Sequence, residues 1–354
     1  MRICFFSGDI SKTGGTERVT IMLANKLIEK GYDVSILSFK NGVKSSFPFN
    51  KKINFYTLEL EEKKGFFSRK IFPYIRLIRF FNREKIDIFI NVDVLLCLYS
   101  LPVRFFTKAK IIAWEHFNYR FIGVKNRLRA RKLAAKLADC IVVLTKADLK
   151  EYKSNLNLKA KIINIYNPTK KITAKSIKDN IVVASGRLTY QKNFQELLRI
   201  WKVVSKKFPH WKLIICGEGE DHDSLLKIIK DNEISNVLIS GFIKDINKVY
   251  EKSQVMVMTS RYEGFPMVLL EGQSQGLPLI AYDCFTGPSE IIYNERNGYL
   301  IEYGNRNEFI KKFISILENK ELRNMMSENA LNDSQRFNID LIVESWIKLF
   351  SDLT

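Results

Sequence analysis

Two carboxylates eight positions apart, Glu263 and Glu271, enclose Gly264, Phe265, Pro266, Met267, Val268, Leu269 and Leu270. The run follows Val255 to Thr259, whose composition reads as a strand. Pro266 suits the first turn of a helix, where the amides of Met267 and Val268 have no carbonyl to bond. Glu263 then sits in the loop at the helix mouth and Glu271 just over one turn along. Such a layout can hold a sugar by its hydroxyls on Glu263, a diphosphate on the helix amides and a ribose on Glu271.

A second segment with chemistry follows the strand-like run Ile181 to Ser185: Gly186, Arg187, Leu188, Thr189, Tyr190, Gln191, Lys192 and Asn193. Arg187 can grip a phosphate through two parallel hydrogen bonds and Lys192 can add a point charge. That pairing suits a diphosphate whose charge grows as it departs. The alternative is a pair of solvated surface cations. Earlier, Gly14, Gly15, Thr16, Glu17 and Arg18 follow the first strand and open a helix carrying Ile21, Leu23, Leu27 and Ile28. Glycine lets backbone amides approach an anion there, and the helix end adds a positive dipole. The run is neither Gly-x-Gly-x-x-Gly nor a Walker loop, which argues against NAD and ATP phosphate sites. A plainer reading makes it a loop with Thr16 as the N-cap. His116, in Trp114-Glu115-His116 after another strand, is either a packed or a functional histidine.

Metal chemistry is not expected. Asp221-His222-Asp223 has the spacing of a cation-binding pair, but it precedes Leu225, Leu226, Ile228 and Ile229, as acids at a helix N-terminus do. The three histidines show no i, i+4 pair, and the five cysteines are too dispersed for zinc or a short disulfide framework.

The elements that must position these residues are short β-rich runs alternating with helical patterns. Strands are expected near 3–6, 34–39, 53–57, 86–91, 111–115, 140–145 and 162–165. The alternation restarts at 181–185 and continues through 213–216, 237–240, 255–259 and 279–282. Each series implies a parallel sheet with helices on both faces, so 354 residues divide into two doubly wound Rossmann-like domains. The expected boundaries are a basic N-terminal domain at 1–170 and a polar linker at 171–180. A C-terminal domain follows at 181–334, and a last helix at 335–354 packs back on the first domain. Open sheets bind ligands at the carboxyl ends of their strands, so the loops after strands carry the site.

Charge divides as sharply as the fold. Residues 1–170 hold 33 Lys and Arg against 14 Asp and Glu, whereas residues 171–354 hold 24 of each. The first domain is therefore expected to face a polyanion or an anionic membrane while the second is electrically neutral. The nearly uncharged run 91–103 is too short to span a bilayer, and the N-terminus lacks the apolar region of a signal peptide. These features predict a cytoplasmic protein.

In order and spacing these motifs resemble the retaining GT-B glycosyltransferases of family 4. The resemblance runs from the Gly14-Gly15-Thr16-Glu17-Arg18 loop through Glu115-His116 and the Gly186 to Asn193 segment. It continues through the Glu-x7-Glu motif from Glu263 to Glu271, and reaches Gly287-Pro288-Ser289-Glu290. It implies an α/β GT-B fold with two Rossmann-like domains facing across a cleft, the acceptor in the first and the donor in the second. It implies that Glu271 holds the ribose of a UDP-sugar, that Arg187 and Lys192 hold its diphosphate, and that Glu263 contacts the transferred sugar. Gly264, Phe265, Met267 and Val268 complete the donor site, with His116 near that sugar and Gly15 close to the phosphates or acceptor.

The implied activity is transfer of a hexose or N-acetylhexosamine, with retention and an α-linkage, to a lipid-linked glycan of the O-antigen or capsule type. No metal or other cofactor is expected. A GT-B epimerase or phosphorylase is the alternative, as is a non-enzymatic membrane or nucleic-acid binder. The binder leaves Arg187, Lys192, Glu263 and Glu271 without purpose, and no nucleic acid is expected as a partner. Residues 66–83 interleave Phe66, Phe67, Ile71, Phe72, Ile75, Ile78 and Phe81 with Arg69, Lys70, Arg76, Arg79 and Arg83, as interfacial helices do. Lys125, Arg129, Lys132 and Lys136 form a second basic stripe. Both stripes predict peripheral attachment to the inner face of the plasma membrane. Their alternative is the charged outer face of helices that cover the first sheet.

Overall fold

In the parallel-sheet proteins that such a sequence predicts, strands buried on both faces read as unbroken apolar runs. Ile3, Cys4, Phe5 and Phe6 are all fully buried, as are Cys140, Ile141, Val142 and Val143. The computed structural model describes residues 1–40, 44–58, 66–121, 123–170 and 179–354, with backbone alone for 66–70. The expected linker at 171–180 falls mostly outside the described residues.

The chain forms two units, Met1–Pro168 with Ile339–Thr354, and Thr169–Asn338. The first contains β1 (Arg2–Ser7), α1 (Gly15–Glu29), β2 (Asp33–Ser38), β3 (Asn54–Thr57), α2 (Phe66–Glu84), β4 (Ile88–Asn91) and α3 (Cys97–Ser100). It continues with β5 (Lys110–Glu115), α4 (Arg127–Leu137), β6 (Cys140–Val143), α5 (Lys146–Asn155) and β7 (Lys161–Asn164). Its seven strands are ordered β3-β2-β1-β4-β5-β6-β7, and every pairing is parallel.

The second unit contains β8 (Ile181–Ser185), α6 (Phe194–Lys207), β9 (Lys212–Cys216), α7 (His222–Asp231), β10 (Val237–Ile239), α8 (Asn247–Lys252) and β11 (Val255–Met258). Next come α9 (Met267–Ser274), β12 (Leu279–Asp283), α10 (Pro288–Ile291), β13 (Gly298–Glu302), α11 (Arg306–Glu318) and α12 (Lys320–Ser334). Its six-stranded parallel sheet is ordered β10-β9-β8-β11-β12-β13. Helix α13 (Ile339–Leu353) then joins the first unit, where Tyr32 meets Phe350 and Lys26 and Lys30 pair with Asp340 and Glu344.

Helix α6 shows how the sequence pattern becomes a core. Phe194, Leu197, Leu198, Trp201 and Val204 recur at helical spacing and are buried with Val182, Leu213 and Phe313. Each sheet also has one place where strand order reverses, between β1 and β4 and between β8 and β11. Crevices form at such switch points because the connections leave in opposite directions.

Beside the second switch point the loops after β8 and β9 lie backbone to backbone. Gly186 N donates to Cys216 O at 3.0 Å and Leu188 N to Glu218 O at 2.8 Å. Gly217 makes this approach possible at φ +147°, since a Cβ there would stand 1.9 Å from the Gly186 carbonyl oxygen. Gly217→Ala is therefore expected to destabilise the second unit by about 1–3 kcal/mol and to separate the two loops. A lowered urea midpoint together with faster amide exchange at Gly186 and Leu188 would verify it.

Candidate functional site

At the β8/β11 switch point, side chains sew the post-strand loops together. Arg261 N donates to Gln191 O at 2.8 Å, Arg261 Nε to Tyr190 O at 3.1 Å and Arg261 NH2 to Asn193 Oδ1 at 2.9 Å. Its guanidinium lies 4.2 Å from the centre of the Tyr190 ring. Gln191 Nε2 returns a bond to Tyr262 O at 3.0 Å, and Thr259 Oγ1 donates to Asn193 O at 3.2 Å. This stitching places Lys192 Nζ 2.6 Å from Glu263 Oε1. Thr286 Oγ1 donates to Glu263 O at 3.0 Å from the other side. Gly287, at φ +94°, follows, and a Cβ there would meet Pro266 Cδ at 2.6 Å.

Helix α9 opens from this loop with Pro266 as its N-cap, one position before the first turn that its sequence suits. Its cap residue offers no side-chain bond and its first turn carries no acid, so its leading amides are not satisfied from within the helix. Glu271, further along, is buried and accepts from Tyr250 Oη at 3.1 Å. Burial and then the Glu271 charge push the Tyr250 phenol well above its usual range, so it remains a donor. Phe265 is also buried, its ring 5.6 Å from that of Phe337, which leaves its backbone for any ligand. Gly264, Met267 and Val268 are partly exposed along the same loop and helix start. Arg187 is exposed, and among the described residues it has neither hydrogen bond nor ion pair.

In the first unit the loop after β5 rests on a buried ion cluster. Glu115 accepts from Arg127 NH1 at 2.9 Å, Arg131 Nε at 2.8 Å, Tyr152 Oη at 2.9 Å and Phe117 N at 3.1 Å. Burial pushes its carboxyl up, and the Arg131 and Arg127 charges pull it back down. Arg127 also grips both oxygens of Asp93 at 3.1 and 3.0 Å. Arg131 NH2 donates to Asn118 O at 2.8 Å, and its NH1 donates to Tyr119 O. His116 sits on top of this clamp. Burial and then the Arg127 charge lower its pKa from 6.5 to about 3, which leaves the imidazole neutral, and its Nε2 is buried with no partner among the described residues.

Residues 167–333 match the family Glycosyl transferases group 1 and residues 13–170 match Glycosyltransferase Family 4. The amylovoran biosynthesis glycosyltransferase AmsD of Erwinia amylovora is 33% identical, over 95% of this chain and 96% of its own. The chain belongs to the family 4 GT-B glycosyltransferases. An N-acetyl-D-galactosaminyltransferase of Campylobacter jejuni, named for a diNAcBac-PP-undecaprenol-linked glycan, is 25% identical over 100% of this chain and 99% of its own. The crystal structure of Anabaena HepE in complex with UDP shares the fold, with a TM-score of 0.83 at 18% identity over 99% of this chain and 100% of its own.

For this glycosyltransferase, the structure gathers Arg187, Lys192, Glu263 and the start of α9 at one switch point, with Glu271 beside Tyr250. Gly15 and His116 belong to the first unit. Three expectations need correction. Thr16 is not the N-cap of α1: Gly14 is, and the Glu17 carboxylate bonds back to the Gly14 and Glu17 amides. Lys125 precedes α4 rather than lying on it, because Asn126 breaks the turn in a left-handed conformation. Arg76 is not a free surface charge, since its guanidinium bonds Leu58 O and lies 4.7 Å from the Phe72 ring centre. Arg79, Lys125, Arg129, Lys132 and Lys136 are exposed, and the last three line a groove of about 400 Å³ with Asn155 and Asn157. Arg69 and Lys70 lie outside the described side chains.

The sequence reading missed Arg261, Tyr250, Arg127 and Arg131. The last two had a signal: they are spaced i, i+4 and interleave with the exposed stripe. Glu115→Gln leaves two buried guanidinium groups without their counter-charge. It is expected to cost about 3–5 kcal/mol of stability, measured by chemical denaturation. A loss under 1 kcal/mol would show that the cluster is hydrated and dispensable.

Proposed function

We propose that the chain is a retaining transferase that moves a hexose or N-acetylhexosamine from a UDP-sugar to a lipid-linked glycan in surface-polysaccharide synthesis, working peripherally on the inner face of the membrane. The observation that carries this reading is the Lys192–Glu263 pair at the β8/β11 switch point, with Arg187 beside it and the uncapped start of α9. Glu271 receives the ribose in this reading. Arg187, Lys192 and the α9 amides take the diphosphate, whose negative charge grows as the sugar–oxygen bond breaks. Protein cations and amides do this work, so no divalent ion is needed.

Retention follows from attack on the face that the diphosphate leaves, with a leaving-group oxygen assisting removal of the acceptor proton. Glu263 is engaged by Lys192, which suits it to orient the sugar hydroxyls rather than to form a covalent intermediate. His116, kept neutral, offers a hydrogen-bonding nitrogen to the sugar. Two relatives support the choice of donor and acceptor: HepE was crystallised with UDP, and the C. jejuni enzyme is named for an undecaprenol-linked acceptor. AmsD is named for amylovoran biosynthesis.

Assaying a panel of UDP-sugars with the purified chain tests the donor. Arg187→Ala and Lys192→Ala are each expected to lower turnover roughly a hundredfold, about 3 kcal/mol, at saturating donor, while Glu271→Ala mainly weakens donor binding. Activity is expected to persist in EDTA. An inverted product anomer, or activity that disappears in EDTA and returns with manganese, would overturn the mechanism.

The membrane reading rests on the first unit, which combines its excess positive charge with exposed apolar side chains. Ile71, Phe72 and Ile75 are exposed on α2, and Phe105 and Phe106, which the sequence reading did not single out, are 78% and 61% exposed. Among the described residues, no helix is long and apolar enough to cross a membrane. Phe105→Ser/Phe106→Ser together with Arg79→Gln, Arg129→Gln and Lys132→Gln is expected to release the chain from anionic vesicles. Each basic residue near the surface contributes about 1 kcal/mol. Hydrolysis of soluble donor should not change. Sedimentation with vesicles as before, or tighter binding to duplex DNA than to vesicles at matched salt, would refute this surface.

A further inference from the structure

Trp114 lies on β5, His116 follows one position past its end, and α13 covers the Trp114 ring. The imidazole lies against the Trp114 indole, centroids 4.3 Å apart and planes inclined at 48°. Trp346, from the last helix of the chain, meets that same indole edge-on, at 5.0 Å and 72°. Phe5 flanks it at 6.4 Å. Trp114 and Trp346 are both buried. Trp114 Nε1, Trp346 Nε1 and His116 Nε2 are all buried without hydrogen-bond partners among the described residues.

Three unpartnered polar nitrogens in one stack are unusual, because each forfeits its bonds to water. Among the described residues no hydrogen bond holds the imidazole, so its orientation there depends on ring packing. Rigidity comes from Trp346, whose own ring is wedged against Phe350 at 5.9 Å.

We propose that Trp346 is a positioning residue of the transfer reaction, fixing the Trp114 indole so that the His116 imidazole keeps the place from which it meets the sugar. The proposal rests on the reading of His116 as a sugar-contacting group. The electrostatic setting supports it. Arg127 of α4 is the charge acting on the imidazole, itself bound by Asp93 and Glu115. On α13, Asp340, Glu344 and Asp352 pair with Lys26, Lys30 and Lys161, and Lys348 is exposed. If Trp346 is shortened, water reaches the stack and the imidazole regains the basicity that burial removes, while the Arg127 charge still holds it somewhat below the ordinary value. Protonation then grows as pH falls through the raised midpoint and removes the imidazole's free lone pair.

With only three histidines in the chain, imidazole titration by nitrogen-15 NMR on the full-length protein is direct, and His116→Gln assigns the signal. In the wild type, His116 is expected not to titrate between pH 5 and 8. In Trp346→Leu it should titrate within that range, and Trp346→Phe, which keeps an aromatic edge, should lie between the two. Turnover of Trp346→Leu should fall roughly tenfold, within the roughly hundredfold that a 1 Å misplacement can cost, with donor KM unchanged and an acid limb that the wild type lacks. Combining it with His116→Gln should add little further loss. Titration of His116 that is the same in wild type and variant, or losses that multiply in the double variant, would overturn the role of Trp346. If Trp346→Leu does not fold, the Trp346→Phe titration decides alone: no upward movement refutes the proposal. Wild-type activity in His116→Gln would instead remove the sugar-contact reading, and the NMR result would still stand or fall by itself.

Discussion

A parallel sheet covered by helices on both faces leaves only the ends of its strands for chemistry, and at those ends the backbone has lost its ladder partners. Every loop that carries function must therefore be held by something other than sheet hydrogen bonds. The two units solve this differently. In the second, the loops hold one another: Arg261 reaches three acceptors or faces on the 190–193 segment, and glycines bring the β8 and β9 loops into backbone contact. In the first, α4 sends two arginines inward to hold one carboxylate and the carbonyls that follow β5. Self-stitched loops can retain a free cation such as Arg187 at their edge. Loops clamped from beneath are stiff, which suits a histidine whose role depends on aim.

Charge has to be divided into what is buried and what faces outward before it says anything about partners. Some of the basic residues in 1–170 are internal, since Arg127 and Arg131 answer Asp93 and Glu115 rather than solvent. Removing that neutral cluster from the count leaves the outer excess intact, because it contains as many acids as bases. The long-range field therefore still belongs to the first unit. It falls on a surface that also exposes Phe105 and Phe106, a combination that a purely electrostatic partner does not require.

The fold was legible because each buried strand is a short run of apolar residues bounded by turn chemistry, so twelve expected strands coincide with observed ones to within a residue or two. The last strand, β13, is not among the expected ones. The donor-side residues were legible through their order and spacing. The clamp residues were not, because an arginine on a helix looks the same from sequence whether it faces water or a buried carboxylate. Arg127 and Arg131 were hidden among Arg129, Lys132 and Lys136 for that reason. Trp346 was hidden by distance: 232 positions separate it from Trp114, and only the return of α13 to the first unit brings them together.

The two glycine- and proline-led helix starts illustrate how one local rule yields different surfaces. Both α1 and α9 begin without a side-chain cap, at Gly14 and Pro266. Each should present a positive end to an anion. Yet α1 carries Glu17 three positions on, and its half-buried carboxylate folds back to bond the Gly14 and Glu17 amides, raised in pKa by its burial. An anion arriving at Gly15 meets a site already filled by the protein and must displace Glu17. Helix α9 has no acid in its first turn. Of the two helix ends, α9 therefore keeps its dipole and amides open, and it is the one beside Lys192 and Glu263. Glycine content alone ranks the two sites the other way, and the position of one glutamate reverses the order.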